Sequence, residues 1–350
     1  MRERDTGPYP GPVSSGTDVA RGGRLQLLAV LAALASIVAL VGRDAATDHA
    51  IKAQLRSQVR SVVNAVPSTG SASVSASTPP PASNIGMFSG LGTWVDIYET
   101  SSWNHPKRTV KAMHAHGVRT IYLQTSNYTH KPAIVFREAT MRFINFAHKD
   151  GMKVVAWYLP GLKQPDFEFQ RIMAAINLRT NSGESFDGFA LDIESPAVQP
   201  PAERTRRLLA VSSRVRAEVG QNYRLGAIIP SPRGMQKHPG YWPNFPYGQL
   251  ESLYNVFLPM TYFTWRVSGE SAAKKYSEMC INIIRRETSN PKEPIHIIGG
   301  ISNQATIPET KGFVSAVKEE KVWGASYYAF AGTNRAQWRV LRNVPVPDRS

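Results

Sequence analysis

The chain has 350 residues, 42% hydrophobic and 19% charged, which excludes a disordered polymer and leaves room for one large globular domain with accessory segments. Its 41 Lys+Arg against 26 Asp+Glu give a formal charge of +15; residues 1–85 hold 8 basic and 5 acidic groups, so 86–350 carries a net +12. A single cysteine, Cys280, excludes an intrachain disulfide and a thiolate metal cluster.

In chain order, residues 1–24 form a short polar tail. The run LQLLAVLAALASIVALV at 25–41 has no charge and is flanked by Arg21, Arg24 and Arg43. As a helix it rises about 25 Å, slightly short of a hydrocarbon core of ~30 Å. It reads as a signal-anchor transmembrane helix over 25–42, with a cleaved signal peptide as the rival because Ala45 and Ala46 follow. Lys52, Arg56 and Arg60 on the far side blur the orientation. Residues 43–85 combine a polar helical stretch with PSTGSASVSASTPPPASN, a segment too poor in apolar groups to fold and therefore a linker or stalk. The layout predicts a single-pass protein of the cell membrane with the domain at 86–350 held outside the cytoplasm.

From Gly90 onward, short apolar runs alternate with amphipathic stretches. Strands are predicted at 93–98, 119–125, 153–159, 188–193, 223–229, 255–262, 295–300 and 324–330. Helices are predicted near 106–116, 138–150, 166–180, 202–219, 270–288 and 309–320, with 230–250 mostly loop. Eight strands alternating with helices over this length predict an α/β fold of the (β/α)8 TIM-barrel type. A doubly wound sheet is the alternative, but no Gly-rich dinucleotide fingerprint follows the first strand.

In a TIM barrel the chemistry sits at the C-terminal ends of the strands. FDGFALDIESP at 186–196 places Asp192 and Glu194 there on the fourth strand. Strand side chains alternate, so Ala190, Asp192 and Glu194 share the face toward the barrel mouth. Buried carboxylates are costly unless paired or used. On the first strand Trp94, Asp96 and Tyr98 share a face. Gln124 comes from the second strand, Trp157 or Tyr158 from the third, Met260 and Tyr262 from the sixth, and Tyr327 or Tyr328 from the eighth. Trp242 and Trp265 lie in loops. Carboxylates ringed by aromatic side chains suit a carbohydrate, whose apolar faces stack on rings while one acid protonates the glycosidic oxygen.

Asp187-Gly188-Phe189-Ala190-Leu191-Asp192-Ile193-Glu194 resembles the fourth-strand DxxDxDxE motif of glycoside hydrolase family 18, the chitinases and their relatives. Met260-Thr261-Tyr262 is similar to that family's MxY element. The resemblance implies Glu194 as general acid, with Asp192 orienting the substrate's own 2-acetamido group as it attacks the anomeric carbon and Tyr262 hydrogen-bonding to it. The chain departs from the pattern where Ala190 replaces the middle Asp and Phe263 replaces the usual Asp after the Tyr; it has no third-strand SxGG and no Trp closing the eighth strand. Asp96 with Asp192 and Glu194 also resembles, in order and spacing, the acids of family 25 lysozymes. Both resemblances imply hydrolysis of an N-acetylated polysaccharide, peptidoglycan or chitin-like. Ala190 opens the alternative of a sugar-binding barrel without turnover.

Glu194 as acid needs a raised pKa, which a like charge on Asp192 provides. No cofactor or metal is predicted. His114 and His116 are two apart on one helix, a spacing that points them to different sides. The basic runs at 204–207 and 285–286 read as solvated helix faces. The net charge suits an anionic cell-wall polymer, and no motif supports nucleic acid.

Overall fold

The computed structural model describes residues 85–347. The predicted tail, the membrane span at 25–42 and all but the last residue of 43–85 lie outside the described residues. Among the described residues no helix is long and apolar enough to cross a membrane.

Eight parallel strands are formed: β1 (Gly90–Val95), β2 (Thr120–Asn127), β3 (Lys153–Leu159), β4 (Gly188–Asp192), β5 (Leu225–Ile229), β6 (Val256–Pro259), β7 (His296–Ile301) and β8 (Gly324–Tyr328). Their spatial order is β6-β5-β4-β3-β2-β1-β8-β7. Parallel bridges from Phe257 to Ile295 and from Met260 to Ile298 join the two ends of that order, so the sheet closes into the (β/α)8 barrel. The helices are α1 (Thr100–Asn104), α2 (Pro106–Ala115), α3 (Arg137–Lys149), α4 (Pro165–Ile176), α5 (Pro201–Val219), α6 (Pro232–Lys237), α7 (Tyr247–Glu251), α8 (Glu270–Glu287), α9 (Ile307–Glu319) and α10 (Arg335–Leu341). Three findings differ from the sequence reading. The 230–250 connection contains two short helices, α1 splits off before α2, and α10 closes the chain.

Helix starts follow local chemistry. Pro occupies the first turn of α2, α4, α5, α6 and α9, where its missing N–H is no loss. Thr306 and Glu309 form a reciprocal capping box on α9, and Asn334 and Gln337 do the same on α10. His116 stacks on Trp338 of α10, with ring centroids 5.0 Å apart, while His114 stays exposed.

Two apolar layers follow from strand alternation. Leu91, Val95, Tyr158, Phe189 and Leu191 face outward into the helices, together with Cys280 of α8. Trp94, Tyr122, Trp157, Ala190, Leu258 and Met260 fill the barrel interior. Met87 and Phe88, on a 3-10 turn ahead of β1, pack into the same interior cluster. Inside, the His296 Nδ1 lies 2.8 Å from the Phe88 carbonyl and its Nε2 lies 2.9 Å from Ser326 Oγ, which also accepts from Trp94 Nε1 at 2.7 Å. Burial pushes the His296 pKa down to about 4, so the imidazole stays neutral within the packed barrel.

Candidate active site

β4 delivers the two carboxylates as its alternation demands. Phe189 and Leu191 pack outward, Ala190 is buried inside, and Asp192 is 5% exposed at the strand's end. Glu194 follows half-buried, with Ile193 N donating to the Ile228 carbonyl at 2.7 Å to hold the turn against β5. Asp192 Oδ1 is buried with no hydrogen-bond partner. Burial raises the Asp192 pKa well above the ordinary carboxylate range, and the neighbouring Glu194 charge adds to it. Burial lifts Glu194 to about 7. Desolvation, rather than the like charge expected from sequence, is thus the first cause for both acids.

Tyr262 follows β6 at the same end of the barrel. Its backbone sits in the left-handed region at φ 28°, a conformation costly for a side chain of this size, and its N–H donates to the Gly299 carbonyl at 3.1 Å. Its phenol pKa is raised by burial and then by the nearby charges of Glu194, Asp192 and Asp96. Tyr328 of β8 is 6.2 Å from the Tyr262 ring and donates from its hydroxyl to Asp96 Oδ2 at 2.7 Å. The mouth therefore joins Asp192, Glu194, Tyr262, Asp96 and Tyr328.

Glu99 is a fourth carboxylate here that sequence reasoning missed. It accepts from Ser102 Oγ at 3.0 Å and from the Ala331 N–H at 3.4 Å, and burial followed by the Asp96 charge raises its pKa to about 8. Its spacing of three from Asp96 was the available signal.

Other expected contributors lie elsewhere. β1 ends at Val95, so Asp96 and Tyr98 sit in the following loop rather than on one strand face. The cause is local: Tyr98 N donates to Asp96 Oδ1 at 2.7 Å, and Ile97 N donates to Gln124 Oε1 at 3.0 Å. Gln124, 3% exposed, therefore fastens this loop. Trp94 is buried below the mouth, stacked on Tyr122 at 4.2 Å and edge-on to Trp157 at 5.7 Å. Trp157 faces inward with its Nε1 unpartnered, and Met260 lies beside it in the interior cluster. Tyr158 points the other way and donates to Glu168 of α4, outside the barrel. Tyr327 likewise packs outward on Phe313 and Phe263. Trp265 is exposed at the rim, edge-on to Tyr262 at 6.5 Å.

The reading of the basic run at 204–207 is corrected at its first residue. Arg204 is not on a solvated face: it is 1% exposed, with its guanidinium 4.4 Å from the Trp242 ring, Nε donating to the Val198 carbonyl at 3.2 Å and one terminal N–H to the Tyr241 carbonyl at 3.3 Å. Tyr241 in turn donates its hydroxyl to the Glu194 carbonyl, so the loops after β4 and β5 are tied together behind the acid. Asp187, first residue of the fourth-strand motif, lies at the opposite end of β4. It accepts from His148 Nε2, Lys153 Nζ and Val154 N, each at 2.8 Å, and plays no part at the mouth.

Among the described residues, no group of three or more His, Cys, Asp or Glu is placed to hold a metal ion.

No protein-family model and no curated protein sequence matches the chain. Solved structures do. The endo-beta-1,4-mannanase from Thermotoga petrophila superposes with TM-score 0.58 at 12% identity, covering 74% of this chain and 76% of that one. The Bacillus cereus spore cortex-lytic enzyme SleL gives 0.56 at 9%, covering 74% and 75%. A class V chitinase from Pseudomonas fluorescens gives 0.52 at 12%, covering 73% and 99%. These likenesses establish the fold, a (β/α)8 barrel.

Proposed function

We propose that the protein hydrolyses glycosidic bonds in an N-acetylated polysaccharide, peptidoglycan or chitin-like, with Glu194 as general acid. One observation carries the reading: Asp192, buried with Oδ1 unpartnered, and half-buried Glu194 stand together at the C-terminal end of β4, where burial raises the pKa of both, with Tyr262 close enough to feel their charge. Glu194 gives its proton to the glycosidic oxygen as the bond to the anomeric carbon breaks. The substrate's 2-acetamido oxygen closes on that carbon, its N–H donating to the unpartnered Asp192 Oδ1 while the Tyr262 hydroxyl donates to the acetamido group. Glu194, now ionised, takes a proton from the water that opens the resulting ring, restoring both the acid and the acetamido group. Asp96 and Tyr328 wall the far side. Trp94, Trp157 and Met260 form the floor, and Tyr98 and Trp265 border the entrance. The structural relatives that cleave chitin and spore cortex point to the same substrate class.

Residues 25–42 would anchor the chain and 43–85 would space the barrel from the membrane, placing it extracytoplasmically beside wall polymer. The +12 of 86–350 suits an anionic wall polymer as a second partner. A second reading, a carbohydrate-binding barrel without turnover, is favoured by Ala190, because no carboxyl lies two residues before Asp192 on this face to share its proton.

The test is release of reducing ends from purified peptidoglycan and from chitin oligosaccharides by the full-length chain in mild detergent. Release that disappears in Glu194→Gln supports the glycosidase. Binding that survives high salt, without release, moves the assignment to the second reading.

A further inference from the structure

Four aromatic side chains stand out as exposed among the described residues: Tyr98, Tyr128, Phe167 and Trp265. All four follow the C-terminal ends of strands, on the face that holds Glu194. Tyr98 follows β1, Tyr128 follows β2, Phe167 opens α4 after β3, and Trp265 follows β6. Rings exposed by chance would be scattered over both faces.

These rings are also fixed in place. The Tyr98 hydroxyl accepts from Asn127 Nδ2 at 3.1 Å, and its ring lies edge-on to His130 at 5.9 Å. Tyr128 rests directly on Gly161, where an added Cβ would come within 2.9 Å of the ring. Phe167 lies against the Arg171 guanidinium at 4.3 Å. Arg171, itself buried, donates to the carbonyls of Asn127, His130 and Lys131 and so clamps the loop that carries Tyr128. Trp265 donates from Nε1 to Gln304. Ordering a ring while leaving it wet costs entropy without returning burial, so these contacts serve something outside the fold.

The strand order supplies the geometry. Around the closed barrel β2 and β6 are diametrically opposite, and β4, which carries Glu194, lies midway between them. An eight-stranded barrel measures on the order of 15 Å across its backbone. One sugar ring cannot touch both platforms, whereas a linear glycan lying across the mouth touches both with its middle over Glu194.

We propose that the substrate is an extended polysaccharide strand gripped on both sides of the scissile bond, by Tyr98, Tyr128 and Phe167 on one side and Trp265 on the other, and cut internally. This rests on the reading of Glu194 as the acid.

The experiment uses the full-length Glu194→Gln chain in detergent, titrated calorimetrically with N-acetylglucosamine oligomers of two to six units and with glycan strands freed from peptidoglycan. Affinity is expected to rise with length beyond the trimer. Trp265→Ala and Tyr128→Ala, on the same background, are each expected to cost about tenfold for the long oligomers and little for the dimer. On the wild type, the viscosity of a soluble polymer should collapse before many reducing ends appear. Affinity that levels off at the dimer, or both alanine variants binding long oligomers like their parent, overturns the two-sided grip. If wild type still releases reducing ends in that case, the assignment of Glu194 stands without it. Absence of binding and of release with both polymers overturns both.

Discussion

Replacing Glu194 by Gln is expected to make the protein more stable as well as inactive. In the folded state this acid titrates near 7, against 4.5 for an ordinary glutamate, because burial penalises its charge. The unfolded chain therefore ionises first as pH rises, and binds fewer protons than the native state between the two values. Stability falls through that window and stays lowered above it. The full shift corresponds to about 3 kcal/mol, and about 2 kcal/mol remains after allowing for the partial solvent contact of the side chain. Gln cannot ionise, so the variant escapes the loss. Thermal unfolding by circular dichroism at about pH 4 and about pH 8 reads the effect: the two proteins should melt together in acid, and the variant should melt some 4–8 °C higher in base. A gap independent of pH, or a wild type that is the more stable at the higher pH, would refute the idea that Glu194 is held against its desolvation.

Further outcomes follow from the same contacts. Tyr241→Phe removes the hydroxyl that anchors the Glu194 carbonyl, and should lower kcat several-fold with KM little changed while costing about 1 kcal/mol of stability in denaturant melts. Asp187 is held below the usual carboxylate range by hydrogen bonds from His148, Lys153 and Val154, against the opposing effect of burial. The Asp187 hydrogen bond likewise lifts His148, outweighing burial, so the cluster's stabilisation is lost as pH falls through the Asp187 pKa or rises through that of His148. Asp187→Asn should lower the His148 pKa in proton NMR, with Glu184 still paired to its Nδ1, without touching turnover. Gly312 of α9 faces the backbone of α8, where an added Cβ would lie 1.9 Å from the Glu270 carbonyl oxygen. Gly312→Ala should therefore destabilise by about 2–4 kcal/mol, measured by urea unfolding.

The barrel was legible because each strand is an apolar run bounded by polar helices, and all eight appear near their expected places. The DxE at the end of β4 was legible for the same reason: alternation alone decides that Ala190 and Asp192 face in while Phe189 and Leu191 face out. β3 defeated that rule. It is buried on both faces through most of its length, so period two could not choose between Trp157 and Tyr158. Glu99 escaped notice because one of its partners, Ala331, is 232 residues away in sequence. Arg204 read as solvated because a basic helix position gives no sign of the Tyr241 and Trp242 rings that cover it from another loop.

The barrel is closed unevenly. Seven seams carry ladders of four or more paired residues, with register shifts in β2–β3 at Gln124/Ser126 and in β7–β8 at Ile298/Ile301, but β6 meets β7 only through two isolated bridges. A cylinder with one lightly stitched seam breathes there first, and amide hydrogens along 256–262 should exchange faster than those of the neighbouring β5. Tyr262 follows that seam while Glu194 follows β4, which is laddered on both sides, so the two sides of the candidate cleft should differ in stiffness. On the proposed function, that difference would hold the acid still while Tyr262 follows a sugar ring as it changes shape.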